Sequence, residues 1–459
     1  MVEPAAVLEL AYRAPSKGAV RKGMWVRIPP AAWRRAPSRD NPPPVELAER
    51  MELVRELCSF EGRLAGTDAE RRAAARLARR LERQGWRPEI EPTYVHPQWP
   101  LVHALHCALG FGASLLALVA PAAGFAIALA AAVSMYLDLN GRAYVLRPLF
   151  FRRASQNVVA RRPGDEGGRA TVYVCAHYDA ARTGAAYAPR QLARLAALAR
   201  LTRLPLSPAR LAFWSLAALL PLLGLRMAGL GGALLSLLQL PPTLALLLAT
   251  FALVDIELSD VVPGANDNAS GVATALALAA AVAADPPRHL DVRLVLTGGE
   301  GPLVEGLRSF LRAHRRELDP RRSVFLNLDA VGRGELRYLA SEGLAVSQPA
   351  DRRLRQLCEA IAEASGAEGG AGAARGPDPH AFGFATDAAL ASARGYPAIT
   401  ITALEPGTLA PPGFRLASDA PELLEPEAME RALAFALALV RQLDREVERR
   451  SRLATAGAA

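Results

Sequence analysis

"TVYVCAHYD", residues 171–179, is an apolar run of β-branched and aromatic residues that ends in a histidine and an aspartate two apart. Its composition and length read as a buried strand, with His177 and Asp179 just past its end. The same pattern recurs at "NVVA" (157–160), "VRLVLT" (292–297), "VFLNL" (324–328) and "AITIT" (398–402), separated by Ala- and Leu-rich helical runs. A further helix, "DAERRAAARLARRLERQ", is capped by Thr67 and closed by Gly85. This alternation predicts an α/β fold with a mostly parallel mixed sheet and helices on both faces. In such sheets ligands bind beyond the carboxyl ends of the strands, so the polar residues there are the candidates for chemistry.

Four places qualify. His177 and Asp179 put an imidazole toward the site with a carboxylate beside it as orienter. "GANDNASGVATALALAAAV", residues 264–282, crowds Asn266, Asp267, Asn268 and Ser270 onto the start of an Ala-rich helix, where one of them would suffice as a cap. Small residues around Asp267 point to backbone in close approach to something bound. The strand at 292–297 delivers Glu300 after two glycines, and the strand at 324–328 delivers Asp329. Singly, each has a plain reading as a polar strand end or a helix cap. In this order, one imidazole and several carboxylates suit zinc or a similar divalent metal.

The segments "CAHYDA", "GANDNASGVA", "LTGGEGPLVEGLRSF", "NLDAVG" and "ARGYPAITIT", with the lead-in "GRLAGTDAERRAAARLARRLERQGW", resemble in order the M-twenty-eight metallopeptidases, zinc exopeptidases that include bacterial aminopeptidases and glutaminyl cyclases. The resemblance implies a three-layer zinc-exopeptidase-like fold, with His177, Asp267 and Asp329 as metal ligands, Asp179 orienting His177, and Glu300 as general base. It also exposes two departures. The family places a second glutamate, a metal ligand, where this chain has Gly301. Its last ligand, a histidine four residues before an aspartate, falls on Arg415 of "RLASDAP" (415–421). Both lost ligands serve the same metal, so one site is dismantled and the other keeps its full set, and one zinc ion is expected. The missing dication, glutamate and neutral histidine sum to about +1, which Gly301 with Arg415 restores. Arg415 is therefore expected to pair with the freed oxygen of Asp267 and to stabilise an oxyanion. His380, in "GPDPHAFGF", matches no family ligand in spacing and reads as a loop histidine.

Residues 101–137 contain no Asp, Glu, Lys or Arg, about twice the length one membrane span needs, with Pro121 as the natural turn. A second apolar block runs from about Leu211 to Val254, interrupted by Arg226 and "AGLGG", with Pro241 and Pro242 expected to kink it. Two transmembrane hairpins put every soluble segment on one side. The membrane-proximal flanks hold Arg142, Arg147, Arg152, Arg153, Arg200, Arg203 and Arg210 against a lone Arg226 in the turns, which places that side in the cytoplasm. The expected organisation is a disordered or over-extended N-terminus at 1–45 (Met24 and Met51 being alternative starts), α/β segments at 46–98, 139–205 and 257–450, hairpins at 99–138 and 206–256, and a disordered tail at 451–459. No cleavable signal is legible in the Pro- and Arg-rich start.

The net charge of +9 is scattered arginine without the aromatic-interleaved block of a nucleic-acid surface, and it suits an anionic lipid surface instead. The spans hold almost nothing charged, which argues against a transporter. Cys58, Cys107, Cys175 and Cys358 stand too far apart for a metal or disulfide framework, and a reducing compartment is compatible with them. The expected function is a membrane-bound, zinc-dependent, aminopeptidase-like hydrolase acting on peptide or amide bonds near the bilayer. The alternative is an inactive peptidase-like membrane protein that binds or scaffolds.

Overall fold

Strand β3 (Ala170–His177) is apolar on both faces because both are covered. Val172, Val174 and Ala176 join one buried cluster, while Tyr173 and Cys175 join another on the opposite side, where Tyr173 stacks on Phe325 with ring centroids 5.0 Å apart. The computed structural model describes residues 46–164, 167–301, 303–368, 380–381, 383–405 and 410–456, so the expected disordered N-terminus lies outside the described residues. The other strands are β1 (Arg87–Val95), β2 (Arg153–Arg161), β4 (Leu290–Thr297), β5 (Ser323–Asp329), β6 (Glu335–Glu342), β7 (Gln348–Pro349), β8 (His380–Ala381) and β9 (Ala398–Leu404). They form one sheet in the order β1-β2-β4-β3-β5-β9-β6-β7, with β8 beside β6.

The sheet is more mixed than the strand pattern predicts. Its centre, β4-β3-β5-β9, is parallel, but β1 and β2 run antiparallel to their neighbours, and β6 runs antiparallel to β9 and β7 while β8 lies parallel to it. The missed edge strand β1 carries Pro88 and Pro92, which lack the N–H a central strand must donate and which an edge tolerates.

The helices, in chain order, are α1 (Leu47–Cys58), α2 (Asp68–Arg83), α3 (Trp99–Leu116), α4 (Pro121–Leu139), α5 (Pro189–Thr202) and α6 (Pro208–Met227). They continue with α7 (Ala233–Leu258), α8 (Gly271–Ala284), α9 (Glu305–Ala313), α10 (Arg352–Glu368), α11 (Asp387–Ala393) and α12 (Pro426–Ala456). α1, α2, α8, α10 and α12 pack on one face of the sheet, and α9 with α11 on the other. Thr67 caps α2 as expected, accepting the Glu70 N–H at 3.3 Å, while Glu70 accepts the Gly66 N–H at 2.7 Å in return. The expected tail from 451 is instead the last turns of α12, which is helical to Ala456.

The two apolar blocks form the hairpins α3–α4 and α6–α7, and the four helices pack together around Cys107, Ala113, Ala131, Phe213, Leu216 and Leu246. α4 starts at Pro121, and α7 runs as one helix through Pro241 and Pro242. Among the described residues, five helices are long and apolar enough to cross a membrane by length and composition. One of them, Ala265–Ala284, contains α8 and is 83% buried in the α/β core. The other four are the hairpins, and they leave Val119, Leu234, Leu248 and Phe251 on the outer surface.

Between hairpin and sheet runs a buried polar ladder that the hydropathy pattern hides. Arg147 donates to both oxygens of Asp138 at 2.9 and 2.8 Å and lies 3.3 Å from Glu305. His103 lies 3.3 Å from Asp138 on one side, and His96 lies 2.8 Å from Glu305 on the other. Asp138 falls on α4 and Glu305 on α9, so the ladder fixes the first hairpin against the α/β domain. Removing one member of such a buried pair costs about 3–5 kcal/mol, because the remaining charge is left uncompensated.

Candidate metal centre

The Asn- and Ser-rich stretch is a clamp that holds Asp267 beside Asp329. Asn268 Oδ1 accepts the N–H groups of Gly271 and Ala330, each at 3.0 Å, and its Nδ2 donates to the Leu328 carbonyl at 2.9 Å. Asn266 Oδ1 accepts the Gly332 N–H at 2.8 Å, and Ser270 Oγ accepts that of Val331 at 3.1 Å. These bonds tie the turn carrying Asp267 to residues 328–332, which carry Asp329. Gly264 enters the turn with φ +67°, and a Cβ there would lie 2.8 Å from the Asp267 carbonyl oxygen. The small residues thus reflect close backbone approach, as the sequence suggested, although what approaches is the protein's own chain.

His177 at the end of β3 and Asp329 at the end of β5 meet Asp267 beyond the parallel strands, where the topology places ligands. His177 Nε2 lies 3.2 Å from Asp267 Oδ1 and 3.9 Å from Asp329 Oδ1. Two donors that each stand about 2.1 Å from one zinc ion lie at most about 4.2 Å apart, and both separations fall inside that limit. Among the described residues these three are the only group of His, Cys, Asp and Glu donors close enough to hold a metal ion.

Asp179 has two tasks. Its Oδ1 lies 3.4 Å from His177 Nδ1, whose nearer contact is the Asp179 carbonyl at 3.2 Å. The same carboxylate accepts the Glu300 N–H at 3.1 Å and the Gly301 N–H at 3.0 Å, which fixes the turn after β4 against the histidine. Glu300 lines a cavity of about 40 Å³ with Asp267, Asp329 and Arg415, room for a metal ion with a few waters.

The charges favour a cation. Asp179, Asp267, Glu300, Asp329 and Asp419 stand around two guanidiniums, Arg63 and Arg415, a formal excess of three negative charges in a water-poor space. Burial pushes the Glu300 carboxyl up to about 8, against the pull of His177 and Arg415. Burial and the repulsion of Asp267 carry Asp329 to about 7, although His177 opposes them. Burial disfavours a charged His177, but Glu300, Asp179, Asp267 and Asp329 outweigh it and hold its pKa well above the ordinary value. Burial works against a charged Asp267, but His177 outweighs it and holds its carboxyl below the ordinary value, so a charged histidine between two carboxylates is the donor set a dication would discharge, and it fits zinc.

Arg415 is not where charge arithmetic put it. Among the described residues it forms no ion pair with Asp267; its Nη1 donates to the Tyr187 hydroxyl at 2.9 Å. The guanidinium lies 5.6, 5.1 and 5.4 Å from the ring centres of Trp99, Tyr187 and Phe414, and the backbone turns through φ +54° to place it there. It still lines the cavity, its Nε is buried without a hydrogen-bond partner, and Glu300 and Asp267 lie near enough to raise its pKa after Tyr187.

Sequence reasoning passed over three residues that build the centre. Asp419 accepts the N–H groups of Asn266 and Asp267 at 2.8 and 3.1 Å. Arg63, fully buried, donates to the Tyr178 carbonyl at 2.5 Å and to that of Gly264 at 3.2 Å. Asp387 accepts from Thr297 at 2.6 Å below Glu300's strand end. Asp419 had a signal, its place four residues after Arg415; Arg63 and Asp387 sit in ordinary helix-flanking sequence. His380 falls in β8, paired with β6.

Residues 252–440, less than half of the chain, match the model of Peptidase family M28. No curated protein matches the chain. Among solved structures, the glutaminyl cyclase of Tannerella forsythia has a TM-score of 0.50 at 14% identity, covers 87% of this chain and 99% of its own, and shares its fold. A zinc aminopeptidase from Bacillus subtilis has a TM-score of 0.49 at 14% identity over 87% of this chain and 96% of its own. A Zn-dependent exopeptidase from Parabacteroides distasonis gives 0.48 and 14% over 88% and 98%.

Proposed function

We propose that the chain is a membrane-anchored, zinc-dependent hydrolase of peptide or amide bonds, aminopeptidase-like, with one metal ion. The observation that carries the reading is the buried trio His177, Asp267 and Asp329 beside Glu300, of which Asp267, Glu300 and Asp329 lie in the segment, residues 252–440, that matches a peptidase family. Zinc bound by the trio would polarise the scissile carbonyl and acidify the attacking water. Glu300 would take the proton from the attacking water and pass it to the leaving nitrogen, a role open to it once the charge of a bound dication draws its carboxyl down from about 8. Asp179 keeps Glu300 in place through the backbone of residues 300 and 301. Arg415 offers its free Nε to the oxyanion that develops as the carbonyl is attacked.

The hairpins serve as the anchor, because their outer Leu, Val and Phe side chains match an apolar phase and not water. The arginine-rich flanks favour the cytoplasmic face for the catalytic domain. Leu344, part of the hairpin cluster, also lines the cavity, and Leu303 and Ala385 do both as well. The cavity wall is therefore shared with the bundle, and substrates are peptides or lipid-linked amides presented close to the bilayer.

A second reading, an inactive binding or scaffolding protein, is favoured by Arg415's hydrogen bond to Tyr187 in place of the site and by the small cavity. Metal analysis separates the two. The purified full chain is expected to hold one zinc per chain and to cleave an aminoacyl amide. The double variant Gly301→Glu with Arg415→His should hold two, since it restores both missing ligands. A Cβ at Gly301 would stand 3.3 Å from Asp179 Oδ2, which has to yield by a few tenths of an ångström. Wild-type protein without metal in any buffer would sink the enzyme reading.

A further inference from the structure

A groove of about 760 Å³ lies where the first hairpin meets the α/β domain, on the far side of the Arg147 ladder. Tyr94, Tyr144, Phe150 and the His96 ring line it, and Arg142, Arg152, Arg308 and Arg312 stand around it. Arg308 sits 3.7 Å above the Tyr144 ring and Arg152 sits 4.2 Å above Tyr94, so two of the guanidiniums are held in place by stacking. The lining contains one carboxylate, Glu305, which Arg147 and His96 already engage. Among the described residues none of the four arginines has a carboxylate within ion-pair distance, and Arg308 Nε is buried without a hydrogen-bond partner.

A second hollow of about 330 Å³ continues the basic surface along Arg308, Arg312, Arg315 and Arg394. The crowding is felt within it: burial, and then Arg308, Arg312 and Arg142, depress the pKa of Arg394. Arginines gathered without counter-charge make an anion site, and planar guanidiniums match phosphate oxygens in pairs.

Its position says which phosphate. Arg142 follows the end of α4 at Leu139 by three residues, and Val145, Leu149 and Phe151 beside it are 53, 72 and 73% exposed. Large apolar side chains exposed next to arginines suit a headgroup boundary, with the former in the acyl region and the latter on phosphates.

We propose that this groove binds the phosphate of an anionic phospholipid, seated by Arg142, Arg152, Arg308 and Arg312, so that a lipid headgroup sets the catalytic domain against the bilayer. The proposal rests on the membrane reading above. It is tested with the full chain in neutral detergent micelles titrated with dioleoylphosphatidylglycerol or dioleoylphosphatidylcholine, bound lipid being counted by native mass spectrometry. Phosphatidylglycerol should bind at least about 10-fold more tightly than phosphatidylcholine, and less tightly as salt rises. Arg142→Gln with Arg312→Gln, both exposed, should lower that affinity about 30-fold, at about 1 kcal/mol for each arginine. The charge-matched control Arg79→Gln with Arg83→Gln on α2 should not change it. Equal binding of the two lipids, or unchanged binding in the double variant, overturns the proposal. Displacement of phosphatidylglycerol by equimolar inorganic phosphate would assign the groove to a soluble anion and overturn it too. A chain that stays monodisperse in water without detergent would instead defeat the membrane reading, which keeps the two failures apart.

Discussion

Glu300→Gln is expected to lower kcat for aminoacyl-amide hydrolysis by about 10²- to 10⁴-fold, the share a positioned acid–base group supplies, with the zinc content of the purified protein unchanged. The argument is geometric. Glu300 lines the cavity but is outside the trio that could hold the metal, so its carboxylate is free for proton transfer. Its backbone N–H is bound to Asp179, a contact that glutamine keeps, so the turn should not move. KM should change little, because the lost interaction belongs to the transition state. Arg415→Met is expected to lower kcat by about 10²- to 10³-fold, the worth of one oxyanion donor, again with zinc retained. Unchanged kcat in Glu300→Gln would remove it as the base. Unchanged kcat in Arg415→Met would leave Arg415 as packing among Trp99, Tyr187 and Phe414.

The strand ends were legible in the sequence because burial on both faces forces continuous apolar runs, and each run stops where a polar residue must face the site. His177, Asp329 and Glu300 stand in those positions, and Asp267 announced itself through its small and polar neighbours. Charge arithmetic failed locally at Arg415: it fixes how much charge a site lacks but not where a long side chain lies, and three aromatic rings from separate elements decided that. Two of those rings, Trp99 and Tyr187, lie some 316 and 228 residues away along the chain, so no local pattern could indicate them. The antiparallel edges were hidden for a related reason. β1 and β6 are only partly buried, so their composition follows solvent more than packing. The ladder through Asp138 and Arg147 escaped because hydropathy averages over a span and dilutes one carboxylate at its end.

Asp267→Asn should remove the metal altogether. Zinc is expected to fall from one per chain to less than about one tenth, with hydrolysis at background, because two neutral donors and one carboxylate no longer offset the cost of dehydrating a dication. Stability provides a readout that does not depend on turnover. In the wild type, zinc at about 100 times its Kd stabilises the folded state by about 2.7 kcal/mol and raises the melting temperature; in the variant that increment should vanish. The substitution leaves the clamp intact, since Asp419 accepts the backbone N–H of residue 267 and Asn268 bridges to residues 328 and 330 without help from its carboxylate. The variant should therefore fold and keep its far-ultraviolet circular dichroism. Folded Asp267→Asn that still carries one zinc per chain would place the metal elsewhere and undo the assignment of His177 and Asp329 with it. Loss of both zinc and its thermal increment, in a protein that remains folded, ties the metal to the turn that Asn266, Asn268 and Ser270 hold in place.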